Sequence, residues 1–283
     1  MKHNWSKALL VACVSVAAIA CLALTACGGG SSKASSSSAA SSSAASSASA
    51  TTTSAGYKLL EGGKLKVVTS AEYSPMEFME GSDIKGFDID LIKEIGKRLG
   101  LDVTISNQAF DSLVTSIAGG KQFDCSISAI TINDERAEQV KFTNPYYDSN
   151  LAVVTLANSP IANMDALNGV PVGAQSGSSG EEWVKENLKQ STYTPFQETP
   201  DLLAALRTGA VQAAIYDEPV AKNHVSTEYT DCKVLNVIPT GEQYGIIVNK
   251  DNAALADAMN KALADMKADG TYDKIAAQWF SAK

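Results

Sequence analysis

Gly86-Phe87-Asp88-Ile89-Asp90-Leu91-Ile92-Lys93-Glu94-Ile95-Gly96-Lys97-Arg98-Leu99-Gly100 is the stretch from which the rest of the chain can be read. Ile89, Leu91, Ile92, Ile95 and Leu99 recur at the helical period and cover one face. The spacing predicts a helix over 87–99, with Gly100 as its stop. Ahead of it, Leu65-Lys66-Val67-Val68-Thr69 is a short β-rich run, followed by a loop containing Pro75. Behind it come Val103-Thr104-Ile105 as a strand, 111–118 as a helix ended by Gly119-Gly120, and Cys125-Ser126-Ile127-Ser128 as a strand. Strand and helix alternating in this order call for an open, mostly parallel sheet flanked by helices.

The alternation restarts after Tyr147. Residues 151–156 and 170–173 read as strands, 181–188 and 202–206 as helices, and 213–216 as a strand. Gly245-Ile246-Ile247-Val248 and a helical run over 253–279, punctuated by Gly270, close the chain. The class is α/β with two lobes of about 100 residues each. Lobe I comprises 57–147 and the returning 244–283; lobe II comprises 148–243. Ligands bind beyond the carboxyl ends of strands in open parallel sheets, so the cleft between the lobes is the expected site.

The first 56 residues are of another kind. Lys2 and Lys7 precede an uncharged apolar run over 8–24, the pattern of a signal peptide, which is placed at 1–26. Leu24-Thr25-Ala26-Cys27 resembles the lipobox of bacterial lipoproteins, which implies cleavage before Cys27 and a lipid on its sulfur. Ser, Ala, Thr and Gly then run to Gly56 with Lys33 as the one charge, too polar and small for a core. Residues 27–56 are read as a lipidated, flexible tether spanning roughly 30 Å. The expected location is the outer face of the cytoplasmic membrane.

Composition removes several functions. Of 283 residues, 23 are Lys or Arg against 31 Asp or Glu, a formal charge of −8 that argues against nucleic acid. The two histidines, His3 and His224, leave no Ser/His/Asp triad and no histidine metal site, so no metal and no cofactor are expected. Of five cysteines, Cys125 and Cys232 lie in the folded part, read as two unpaired thiols or one disulfide.

Several segments carry a joint resemblance: Gly86-Phe87-Asp88-Ile89-Asp90-Leu91, Gly120-Lys121-Gln122-Phe123-Asp124, Thr131-Ile132-Asn133-Asp134-Glu135-Arg136, Phe142-Thr143-Asn144-Pro145-Tyr146, and Met266-Lys267-Ala268-Asp269-Gly270-Thr271-Tyr272. Together they resemble the polar amino-acid family of extracellular solute-binding proteins, the capture subunits of bacterial ABC importers. The resemblance covers nearly all of 57–283. It implies a two-lobed, type II periplasmic-binding-protein-like fold, a monomer, an ABC permease as partner, and a free amino acid as ligand.

By that resemblance Arg136 binds the ligand's carboxylate, since its planar fork gives two parallel N–H bonds. Ser128 is a further ligand-binding candidate on the strand ahead of Arg136; the Ala129 carbonyl and the Thr131 hydroxyl accept from or orient the ammonium, and Asp217 pairs with it. Tyr73 and Phe110 sandwich the side chain, and Gln175 lies on the variable pocket floor. Read alone, Arg136 is a solvated charge beside Asp134 or Glu135, Asp217 a strand-end cap, and the two aromatics core residues. Gln175-Ser176-Gly177-Ser178-Ser179-Gly180 runs from strand into helix, where free N–H groups and the Ser178 and Ser179 hydroxyls make an anion site or a plain N-cap. No Lys follows the glycines and no G-x-G-x-x-G occurs, which argues against a nucleotide loop.

Relatives for cationic amino acids often carry an acid near Ser70. The serine here favours a polar neutral or sulfur-containing ligand, with Glu72 and Glu77 as the groups that could meet a basic one. The alternative is a secreted cyclohexadienyl (arogenate/prephenate) dehydratase-like enzyme on the same fold. Glu72 or Glu77 would be its general acid, with no second group in view to set the acid's pKa.

Overall fold

The computed structural model describes residues 51–53 and 56–280. The signal peptide expected over 1–26, the lipid site Cys27 and most of the tether lie outside the described residues. The end of the expected tether is not all tether: Thr51–Thr52 pairs antiparallel with Lys58–Leu59. Ordered chain therefore begins ahead of Tyr57, because β-branched threonines find a partner strand there.

Lys64–Thr69 is central to the first sheet, with Leu65, Val67 and Val68 fully buried. It runs parallel to Asp102–Asn107 on one side and to Cys125–Ser126 on the other. Ile247–Asn249 then pairs antiparallel with both Cys125–Ser126 and Val140–Phe142. The second sheet runs in the order Thr192–Phe196, Pro171–Gln175, Ala213–Asp217, Tyr147–Leu156, Cys232–Tyr244. Its first two pairings are parallel and its last two antiparallel.

Both sheets are therefore mixed, where a mostly parallel arrangement is expected from the sequence. In the first sheet the antiparallel pairings come from the short returning strand Ile247–Asn249, and in the second from Tyr147–Leu156 and the long Cys232–Tyr244, which the β–α alternation does not mark. Cys232–Tyr244 carries Asn236, Thr240, Glu242 and Gln243 among its apolar residues, so its composition resembles a loop. The loop expected around Pro75 is likewise structured, as short antiparallel strands Glu72–Tyr73, Glu77–Glu80 and Asp83–Lys85.

The helix expected over 87–99 is observed as Phe87–Leu99, and Gly100 ends it at φ 69°. Gly86 at its start admits a close approach: a Cβ there would fall 2.1 Å from the Met76 carbonyl oxygen. That contact lets Phe87 and Asp88 donate their N–H groups to Pro75 and Met76 and turns Asp88 into the core, fully buried. The closing helical run breaks at Gly270 (φ 75°) into Ala253–Ala268 and Thr271–Phe280. The second of these packs Phe280 against Phe87, ring centroids 5.1 Å apart. Between the sheets the chain passes at Tyr147 and Tyr244, which pair across strands and stack their rings at 5.8 Å. Cys125 and Cys232 are both buried and free.

Candidate functional site

The strands of each sheet deliver their carboxyl ends to one cleft. From the first sheet come Ser70 and Tyr73 after Lys64–Thr69, Phe110 after Asp102–Asn107, and 128–131 after Cys125–Ser126. From the second come Gln175 at the end of Pro171–Gln175, Ser178 and Ser179 at the start of helix Ser179–Asn187, and Asp217 ending Ala213–Asp217. Tyr73, Phe110, Ala129, Thr131, Arg136, Gln175, Ser178, Ser179 and Asp217 line one cavity there, with Ser70, Glu72 and Glu77. Its volume is about 10 Å³, the space of roughly one water. A wider cavity of about 360 Å³ opens beyond it, and Thr131 and Ser179 line both.

Arg136 sits in the short helix Asp134–Gln139, whose cap Asn133 accepts a bond from the Arg136 N–H at 2.9 Å. Its guanidinium is buried and donates to two carbonyls, Thr131 O at 2.7 Å and Gly177 O of the other lobe at 2.8 Å. It makes no ion pair among the described residues, and Phe110 lies under it at 5.6 Å. Phe110 therefore faces Arg136 and not only the space between the two aromatics. Burial pulls the Arg136 pKa down, while Glu182, Asp217 and Glu242 oppose that pull from a distance.

Asp217 faces the cavity from the second lobe. The Tyr73 hydroxyl donates to its Oδ2, and the Asp217 N–H donates back to the Tyr73 oxygen at 3.0 Å. Its Oδ1 is buried without a partner. Burial first and the Glu242 charge second push its pKa up to about 7. Tyr73 is thus a bridge between lobes as well as a wall of the cavity.

Glu72 accepts from Gln175 Nε2 and from the Thr199 N–H, at 2.7 Å for the latter, again across the lobes. Burial raises its pKa to about 7. Glu77 is buried and accepts from the Ser128 hydroxyl at 2.9 Å. Asp88 accepts from the Ala129 N–H at 2.8 Å and the Tyr146 hydroxyl at 2.7 Å, and so holds Ala129 at φ 45°. Burial raises both carboxyls, Asp88 to about 6, and the Asp88 charge pushes Glu77 up further. Asp88 is the second group that the sequence did not reveal: a helical first-turn acid reads as a partner of the helix dipole, not as a buried neighbour of Glu77.

Ser128 departs from its expected place. It does not line the cavity; its hydroxyl accepts from the Ser70 N–H at 2.9 Å and donates to Glu77 behind the wall. The chain leaves the extended conformation at Ala129 (φ 45°); Ala129 and Thr131 line the cavity and the Ser128 hydroxyl is taken up behind it. Ser178 caps its helix, accepting from the Glu181 N–H at 3.1 Å and donating to Gln175 O at 2.7 Å. The Ser179 and Thr131 hydroxyls both donate to one carboxylate oxygen of Glu242, at 2.9 and 3.0 Å. No sequence pattern marks Glu242; its one local signal is the adjoining Gly241, at φ 65° inside the strand Cys232–Tyr244. Among the described residues no group of three His, Cys, Asp or Glu could hold a metal ion.

Comparison with known proteins follows the same architecture. The profile of bacterial extracellular solute-binding proteins, family 3, matches residues 65–282. ABC transporter arginine-binding protein 1 of Escherichia coli (strain K12) is 34% identical over 222 residues, which cover 77% of this chain and 90% of that one. L-cystine-binding protein TcyJ of the same organism is 30% identical over 229 residues, covering 80% and 85%. A solved ancestral arginine-binding protein bound to arginine matches with a TM-score of 0.74 at 37% identity, over 77% of this chain and 99% of that one. These are binding proteins and not enzymes. With two lobes, a shared cleft and a profile match over most of its length, the chain belongs to the bacterial extracellular solute-binding proteins, family 3.

Proposed function

We propose that this chain captures a free amino acid with a cationic side chain, arginine first, by closing its lobes, and delivers it to the permease of an ABC importer. The observation that carries the reading is the placement of the two groups: Arg136 from one lobe, bonded to carbonyls alone, and Asp217 from the other, with its Oδ1 unpartnered, line a single cavity. A zwitterion between them supplies both missing partners at once and makes closure depend on the ligand. Ser70 by itself argues for a polar neutral or sulfur-containing side chain. Glu72 and Glu77 stand on the same wall and supply the acid that Ser70 lacks. The arginine-binding relatives support the cation; the cystine-binding relative supports the sulfur-containing alternative.

Calorimetry of the full chain against the twenty amino acids and cystine tests this. Saturable heat with arginine, exceeding that with every neutral amino acid, is the expected result; heat with none of them removes the reading. The receptor acts as a monomer held at the outer membrane face by lipid on Cys27, a reading supported by Leu24-Thr25-Ala26-Cys27. Labelled palmitate should be incorporated by the natural chain and not by Cys27→Ser.

A further inference from the structure

Behind the cavity wall the first lobe brings two carboxyls together. Glu77 comes from the strand Glu77–Glu80 and Asp88 from the first turn of the helix Phe87–Leu99. Gly86 allows the approach: a Cβ there would lie 2.8 Å from the Glu77 Cα, and the Asp88 N–H donates to Met76 O at 2.9 Å. Both side chains are buried and lie within hydrogen-bond reach of each other. Each carboxyl has one oxygen occupied from outside the pair. Glu77 Oε1 accepts from the Ser128 hydroxyl, and Asp88 Oδ2 accepts from the Ala129 N–H and the Tyr146 hydroxyl. Glu77 Oε2 and Asp88 Oδ1 are left buried with no other donor. A buried acceptor without a donor is costly, and two facing carboxylates add repulsion. One proton between Oε2 and Oδ1 removes both penalties. Every group involved belongs to the first lobe, so the arrangement does not depend on the angle between the lobes.

We infer that Glu77 and Asp88 share a single proton and act as a positioning pair, which fixes the Ala129 backbone and the Ser128 hydroxyl that shape the cavity wall. Asp88, which accepts two other bonds, is the anion, and Glu77 is the donor. Burial raises both carboxyls, Asp88 to about 6 and Glu77 well above its ordinary value, in agreement with that order. Ala129 needs such a hold. Among the described residues it is the one non-glycine with positive φ, at 45°, a conformation that a Cβ disfavours. Its N–H is given to Asp88, and the residue itself lines the cavity. Ser128 in turn accepts from the Ser70 N–H at 2.9 Å, and Ser70 also lines the cavity. The other titratable groups around the pair are Glu72 on the neighbouring strand, Tyr146, and Tyr272 of the closing helix; Arg136 and Asp217 share the cavity with Glu77. With one proton the pair carries one negative charge, and that charge is what Glu77 brings to the wall for a cationic ligand. This consequence rests on the proposed amino-acid reading; the shared proton does not.

Alanine and amide variants of the full chain test the pair, each checked for folding by thermal melting. In Glu77→Gln an amide N–H stands in for the shared proton while Asp88 keeps the charge; in Asp88→Asn, Glu77 keeps it. Calorimetry at pH 7 should show Glu77→Ala and Asp88→Ala losing at least tenfold in arginine affinity, and the two amides recovering it to within about threefold. Without ligand, amide hydrogen exchange of the peptide covering 127–131 should speed up at least fivefold in Asp88→Ala and slow again in Asp88→Asn. Infrared spectra at pH 8, where Glu72 and Asp217 are mostly ionised, should show a protonated-carboxyl band that Glu77→Gln removes. Absence of that band overturns the shared proton. Unchanged exchange in Asp88→Ala, or amides as damaging as alanines, overturns the positioning role. Absence of arginine heat in every one of these proteins defeats the amino-acid reading instead, and the exchange and infrared measurements then decide the pair by themselves.

Discussion

The two ends of the cleft are opposite in charge and alike in being incomplete. At one end Arg136 is a buried cation with carbonyl partners and no ion pair among the described residues. At the other, Glu72, Glu77 and Asp217 are carboxyls raised first by burial and then by neighbouring acids, Glu198 beside Glu72, Asp88 beside Glu77 and Glu242 beside Asp217. Arg98 on the surface shows what a completed site looks like: it bonds Glu94 at 3.0 Å and Asp269 at 2.8 Å. Arg98 and Arg207 are each paired with a carboxylate and the buried Arg136 is not, which is the contrast that the proposed reading uses. The carboxyl end answers differently, by taking up protons where no cation is at hand.

Breaking the cationic end should have the largest effect. Arg136→Ala is expected to weaken arginine binding by about 3 kcal/mol, over a hundredfold, because the ligand's carboxylate would be buried without its partner. Calorimetry measures this, and Arg98→Ala serves as the contrast, with less than a twofold change expected. If the two variants bind equally well, the distinction between the two arginines has no functional content.

The carboxyl end is tested by pH. Glu72 and Asp217 have folded values of about 7 and Asp88 about 6, against 4.5 for Glu72 and 3.8 for both aspartates in the unfolded chain. The native state therefore holds protons that the unfolded chain has released. Their stabilisation is fully present below about pH 4 and is lost as pH rises through 6 to 7. Urea unfolding without ligand should show the domain less stable at pH 8 than at pH 5 by several kcal/mol. Saturating arginine should shrink that difference, since a cation favours the ionised carboxyls. Glu72→Gln sharpens the comparison on a smaller scale: it should cost arginine about tenfold, roughly 1.4 kcal/mol, and leave glutamine unchanged.

How much of this was readable in advance depended on whether a residue's role is local. The helix Phe87–Leu99 announced itself because five apolar residues share one face and Gly100 ends it. Arg136 and Asp217 could be named only through the family resemblance, since read alone they are a solvated charge and a strand-end cap; Ser179 stands beside Gly180 where a strand gives way to a helix. The direction of Ser128 and the burial of Asp88 were not readable, since both are set by what the neighbouring elements pack against. Glu242 lies in a strand whose polar residues hid the strand itself, and its importance comes from two hydroxyls 111 and 63 residues away in sequence. Sequence periodicity reports faces; it does not report which distant donor a face will meet.

His224 gives the smallest expected effect and the opposite sign, and so separates packing from ligand recognition. It is buried in the second lobe between Tyr216 and Tyr229, ring centroids 5.8 and 5.4 Å away, with its Nδ1 unpartnered and no part in the cavity wall. Burial lowers its pKa from 6.5 to about 4. The fold therefore wants it neutral: its contribution is present above pH 6.5 and is lost as pH falls through 4, against the trend of the carboxyls. Between pH 6.5 and 4 the two effects partly cancel in the natural chain. His224→Phe removes one side of the cancellation, so its stability should climb more steeply on acidification across that window, with one titrating group against three setting the size. Arginine affinity should stay within twofold throughout. A variant that instead lost arginine binding would place the second lobe's core, and not only its cleft edge, in the recognition of the ligand.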